Sequence, residues 1–136
     1  MDEAQFFTRF VGAITLVTAA RAACAPQPFL MACLPAQAIA LAGLLTHEPS
    51  CIKVAHVGFT TAVGVGALVA HGLELYLVAF LLAFTLATRR ALGHCMFAHA
   101  RGSADTNDAR YDLVYLTPLA IAAWRLASSR DGAARA

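Results

Sequence analysis

Between Lys53 and Glu74 no formally charged side chain interrupts the run from Val54 to Leu73. About 20 apolar residues is the length a helix needs to cross a hydrocarbon core. Within this run Gly58, Ala62, Gly66 and Ala70 recur four apart, which lines them along one helix face. In lipid, apolar side chains give two helices little reason to associate, because the tails around them are equally apolar. Small residues let the backbones approach closely enough for packing to drive association. The run therefore reads as a membrane helix built to press against another helix.

Composition agrees with that solvent. The chain is 60% hydrophobic and 13% charged, where a soluble domain carries roughly a quarter charged residues. A domain of this size leaves much of its surface exposed, and here that surface would be apolar. The expected fold class is all-α: a polytopic integral membrane protein with four to five transmembrane helices. The net charge of +2 and the lack of any long Lys/Arg run argue against a nucleic acid partner. The partners expected are membrane lipids and other transmembrane helices, in a homo-oligomer or a hetero-complex.

Hydropathy and turn residues divide the chain into five segments. The first covers about residues 6–23, with Arg9 and Arg21 near its ends, where long side chains reach the headgroups. Acidic Asp2 and Glu3 precede it, so it reads as a retained helix rather than a cleaved signal. Pro26 and Pro28 break the helix. The second segment, about 29–46, contains Pro35 and a second small-residue stripe, Ala32, Ala36 and Ala40. His47–Ser50 is a polar loop, with Ser50 the expected N-cap of the third segment, about 51–70.

Beyond Ala70 the apolar run continues to Thr88, interrupted by His71 and Glu74. One helix over 54–88 would be about 50 Å long, well beyond a core of about 30 Å. A tight hairpin near Gly72 resolves the mismatch, since glycine tolerates left-handed dihedrals. The fourth segment is then about 73–92, ending at Arg89 and Arg90, with a helical extension through His94 and His99. Residues 101–110 form a polar loop. The fifth segment, about 111–127, carries Tyr111, Tyr115 and Trp124 near its ends, as in an interfacial aromatic belt. It either spans or lies on the membrane surface, and spanning is the favoured reading. Residues 1–127 thus form one transmembrane helical domain, and 128–136 a polar C-terminal tail.

With four crossings, one side collects Arg9, Lys53, Arg89, Arg90, Arg101 and Arg110, while the first two loops opposite offer Arg21. The positive-inside rule places the N-terminus in the cytosol of a multi-pass protein.

Segment one reads Arg9-Phe10-Val11-Gly12-Ala13-Ile14-Thr15-Leu16-Val17-Thr18, followed by Cys24-Ala25 and Pro28-Phe29-Leu30. This resembles the Arg-x-x-Gly-x-x-Thr-Leu stretch of the small sterol-biosynthesis scaffold proteins of the endoplasmic reticulum. Ala40-Leu41 and Leu45-Thr46 fall roughly where that family has such pairs. The resemblance covers about residues 9–48 with gaps; the family's preceding helix has no counterpart, and the second half of the chain is unmatched. It implies a non-catalytic protein that tethers enzymes in the membrane. It assigns no functional residue.

Few residues offer chemistry. His71 and Glu74 are three apart and share a face if the helix is continuous there. An ionisable pair at membrane depth would be a candidate catalytic site, with His as proton shuttle and Glu as acid or base. At a hairpin tip the same pair would only solubilise the turn. His56 and His71 are fifteen apart, a net rotation of about 60°, so they share a broad face. They are the candidate haem ligands, each needing a second His from another helix. His94, Cys95 and His99 form a loose cluster, but a His pair five apart is poorly placed for one helical face, and no metal is expected. Cys24, Cys33, Cys51 and Cys95 contain no CxxC pair. A Cys24–Cys33 disulfide is conceivable in an oxidising compartment; free apolar thiols are the plainer reading.

The expected function is a non-enzymatic scaffold or accessory subunit of a membrane assembly, with no cofactor. The small-residue stripes would supply helix packing, within the chain or against a partner. Two alternatives stay open: a small membrane enzyme or haem-binding electron carrier using His71, Glu74 and His56, and an oligomeric channel or carrier.

Overall fold

A computed structural model describes residues 2–100, 102 and 109–134. Among the described residues all regular structure is helical. In chain order the helices are α1 (Glu3–Cys24), α2 (Pro28–Thr46), α3 (Pro49–Val69), α4 (Gly72–Leu92), α5 (Met96–Ala100) and α6 (Ala109–Ala134). The first four are long and apolar enough to cross a membrane, by length and composition. Despite its length, α6 is not among them: Asp112, Arg125 and the polar residues beyond Ala127 dilute its apolar character.

Local chemistry sets the boundaries. Asp2 is extended and its carboxylate accepts the Gln5 N–H at 2.7 Å, capping α1. Pro28 opens α2, where its fixed φ suits the first turn and its missing N–H is not needed. Pro35 lies inside α2 without ending it. The cap of α3 differs from expectation. The helix starts at Pro49, so Ser50 lies within its first turn, and the Glu48 carboxylate accepts the Ser50 N–H at 3.2 Å.

The chain leaves the helix after Val69 and re-enters it at Gly72, whose φ is +56°. This left-handed backbone strains any residue with a Cβ. Gly93, with φ +75°, ends α4 and donates its N–H to the Arg89 carbonyl. The expected extension through His94 and His99 is therefore interrupted. His94 lies outside any helix and His99 sits in the separate α5. The polar loop expected over 101–110 falls mostly outside the described residues. The expected tail after Ala127 continues as helix to Ala134.

Internal packing groups the chain into two compact units, residues 1–62 with 94–106 and residues 63–93 with 107–136. The division falls inside α3.

In the first unit α1 packs along α2. Its buried apolar residues include Phe7 and Val11 of α1, Leu30, Ala40 and Leu44 of α2, Ile52 and Ala55 of α3, and Phe97 of α5. Thr18 is fully buried; its hydroxyl donates to the Ile14 carbonyl and accepts from Gln37 Nε2 at 3.1 Å. In the second unit α4 packs along α6. Val63 and Ala67 of α3, Ala70 just beyond its end, Leu75, Val78 and Leu82 of α4, and Tyr115 and Ala122 of α6 are buried.

Large apolar side chains also cover the outside. Leu16, Met31, Val57, Leu68 and Phe80, drawn from all four apolar helices, are more than half exposed. In water such a surface would drive aggregation; on membrane helices it is the lipid-facing surface.

Candidate functional site

The small-residue stripes meet within the first unit. A Cβ built on Gly58 of α3 would lie 3.1 Å from the Ala36 Cβ of α2, so these two helices approach at the small residues. Ala40, one turn on from Ala36, is buried; Ala32 is exposed. Farther along α3, Ala62 is half-buried and Gly66 is buried, as is Ala70 just past the helix end. The stripes are thus largely consumed inside the chain. A closer approach than that of Gly58 involves a glycine that no stripe contains. A Cβ on Gly43 would fall 2.8 Å from the Cys51 Cβ and 3.0 Å from the Ile52 backbone nitrogen. That contact closes the α2–α3 connection.

His71 and Glu74 do not form a pair on one helix face. His71 precedes α4 in extended conformation, so the i, i+3 geometry is lost across the break. Its ring is exposed, with Nδ1 3.2 Å from an Arg125 guanidinium nitrogen. The other Arg125 terminal nitrogen donates to the Ala67 carbonyl at 2.8 Å. Glu74 is buried in the first turn of α4, where the positive end of the helix dipole favours a carboxylate.

His56 lies in the first unit and His71 in the second. The His56 ring stacks on Phe97 with centroids 5.0 Å apart and planes 3° apart. Its Nε2 is 3.7 Å from Cys95 Sγ. Phe97 is also edge-on to Phe7 at 4.9 Å and tilted against Phe59 at 5.5 Å. Phe97 therefore centres a ring cluster drawn from α1, α3 and α5, with the His56 ring stacked on it. None of the four cysteines is disulfide-bonded; Cys24 is exposed and Cys95 buried.

Two polar constellations were not legible in the sequence. The first is a buried ion pair: Arg89 Nε donates to Asp112 Oδ1 at 3.0 Å. Arg90 bonds the second carboxylate oxygen, and the Arg89 guanidinium carbon lies 5.7 Å from the Tyr111 ring centre. The pair ties the last turn of α4 to the first turns of α6. An acid opening one segment and a double Arg closing the preceding one was the available signal.

The second gathers Glu3, His94 and His99, whose ligating atoms all lie within 4.8 Å of one another. His94 Nε2 is 2.5 Å from Glu3 Oε1, and the two imidazoles stack with centroids 4.6 Å apart. The Phe7–Phe97 contact explains the meeting, because Phe7 is one turn from Glu3 on α1 and Phe97 carries α5 to it. Cys95 is not part of this cluster; its thiol faces His56.

Comparison with protein-family models, with curated proteins and with solved structures returns no match for this chain.

Proposed function

We propose that this chain is a small multi-pass membrane protein acting as a non-enzymatic scaffold or accessory subunit of a membrane assembly. The observation that carries this reading is where its ionisable side chains go. Arg89, Arg90 and Asp112 fasten α4 to α6. Arg125 joins α6 to the end of α3 and to His71. Of these, Arg89 and Asp112 are buried, and a buried pair used this way holds helices in register. The first catalytic candidates, His71 and Glu74, stand one exposed and one buried on either side of a helix start. Outward-facing apolar residues on α1–α4 leave a surface for lipid and for other transmembrane helices. The likeness of residues 9–48 to the sterol-biosynthesis scaffold family points the same way, towards tethering rather than catalysis.

The test is extraction of the full chain in mild detergent through a small tag, followed by mass spectrometry and an absorption spectrum of one sample. Stoichiometric partner proteins without a chromophore support the proposal. A lone protein carrying haem or another pigment overturns it in favour of the electron-carrier alternative.

A further inference from the structure

We propose that Glu3, His94 and His99 form a binding site for a divalent first-row transition metal ion, with Zn(II) as its representative ligand. The donor set is two imidazoles and one carboxylate, which suits zinc and its neighbours rather than calcium or magnesium. All three residues lie in the first compact unit, and all lie at or beyond the ends of the apolar helices: Glu3 is the first residue of α1, and His94 and His99 follow α4.

The ligating atoms lie within 4.8 Å of one another. Zinc bonds to nitrogen and oxygen are about 2.0–2.2 Å, so two ligands of one ion stand about 3–3.5 Å apart. Closing that difference takes an ångström or so of side-chain rotation. Glu3 and His94 are half-buried and His99 is exposed, so none is locked in the core. The hydrogen bond between His94 Nε2 and Glu3 Oε1 marks where the ion enters: it replaces the hydrogen between them, and His99 closes the set. Three protein ligands leave at least one coordination position to water or to a ligand from outside.

The five-residue spacing of the histidines is a poor fit for one helix face, but that geometry does not apply. Gly93 breaks the chain ahead of His94, so one histidine comes from a connection and the other from α5. The third ligand comes from the opposite end of the sequence and is held there by Phe7 against Phe97. Metal binding would fasten α5 to the start of α1.

The test is Zn(II) titration of chelator-treated full-length protein in detergent, carrying a tag without histidine, with bound metal counted by elemental analysis after gel filtration. One equivalent per chain is expected. His94→Ala with His99→Ala should weaken binding at least about 10-fold, and Glu3→Gln alone should weaken it while leaving the fold intact. His47→Ala with His71→Ala should leave it unchanged. Wild-type protein retaining no more zinc than the His94/His99 variant would overturn the proposal. So would loss of binding in the His47/His71 variant with equal helix content. Wild-type protein with Co(II) supplies a reading independent of variant folding: intense visible bands of a low-symmetry site support the assignment, and the spectrum of the aqueous ion contradicts it.

Discussion

Arg89 and Asp112 lie 23 residues apart in sequence and form an ion pair, Nε to Oδ1 at 3.0 Å, with both side chains at most 5% exposed. An isolated charge in that position would be far more costly than the pair, so each residue is conditional on the other. Asp112→Ala should therefore destabilise the protein by about 3–5 kcal/mol. Replacing Arg89 by Met and Asp112 by Leu together should recover most of the loss. Unfolding midpoints in detergent for the single and the double variant check this directly.

Glycines 43 and 64 make a contrasting pair. Gly43→Ala places a Cβ against backbone-anchored atoms of Cys51 and Ile52, and overpacking of this kind costs about 1–3 kcal/mol. A Cβ on Gly64 meets nothing within 4 Å. Gly64→Ala should be neutral or stabilising by up to about 1 kcal/mol through helix propensity. Equal effects from the two substitutions would contradict the packing described.

Gly58 and Ala36 should behave as a unit. Gly58→Ala requires α2 and α3 to part by a few tenths of an ångström, at about 1 kcal/mol. Adding Ala36→Gly should restore the room and most of the stability. A double-mutant cycle measures the coupling; strictly additive effects would show that the helices do not meet there.

Gln37→Leu should do little, although it removes a hydrogen bond between two apolar helices. Such bonds average about 0.6 kcal/mol in membrane proteins. The Gln37 Oε1 atom is buried with no hydrogen-bond partner, a penalty that Leu removes. A change in unfolding free energy within about 0.5 kcal/mol is expected. A loss of several kcal/mol would mean that the amide serves a larger network.

Much of the helix layout was legible because its causes are local. Apolar length, Pro28 at the start of α2 and glycine at the α3–α4 break can be read residue by residue, and the break near Gly72 follows from helix length alone. The small-residue stripe on α3 marks a face suited to close packing, but a stripe cannot name its partner. The Gly58–Ala36 approach required the structure, and Gly43 fits no repeat. The Glu3–His94–His99 cluster was hidden for two reasons. Spacing along a helix is irrelevant once Gly93 ends that helix, and Glu3 is brought in by an aromatic contact between distant segments. The Ser50 cap missed by two residues because Pro49 itself starts the helix.

The central claim is that α1–α4 each cross the membrane, with the N-terminus in the cytosol. Single cysteines placed at Asp2, Pro26, His71 and Gly102 in a background lacking the four native thiols, and labelled by a membrane-impermeant reagent in intact and in opened vesicles, test it most directly. Four crossings predict that Asp2 and Gly102 label together from the cytosolic side, and Pro26 and His71 from the other. Labelling of all four positions from one side would contradict the account.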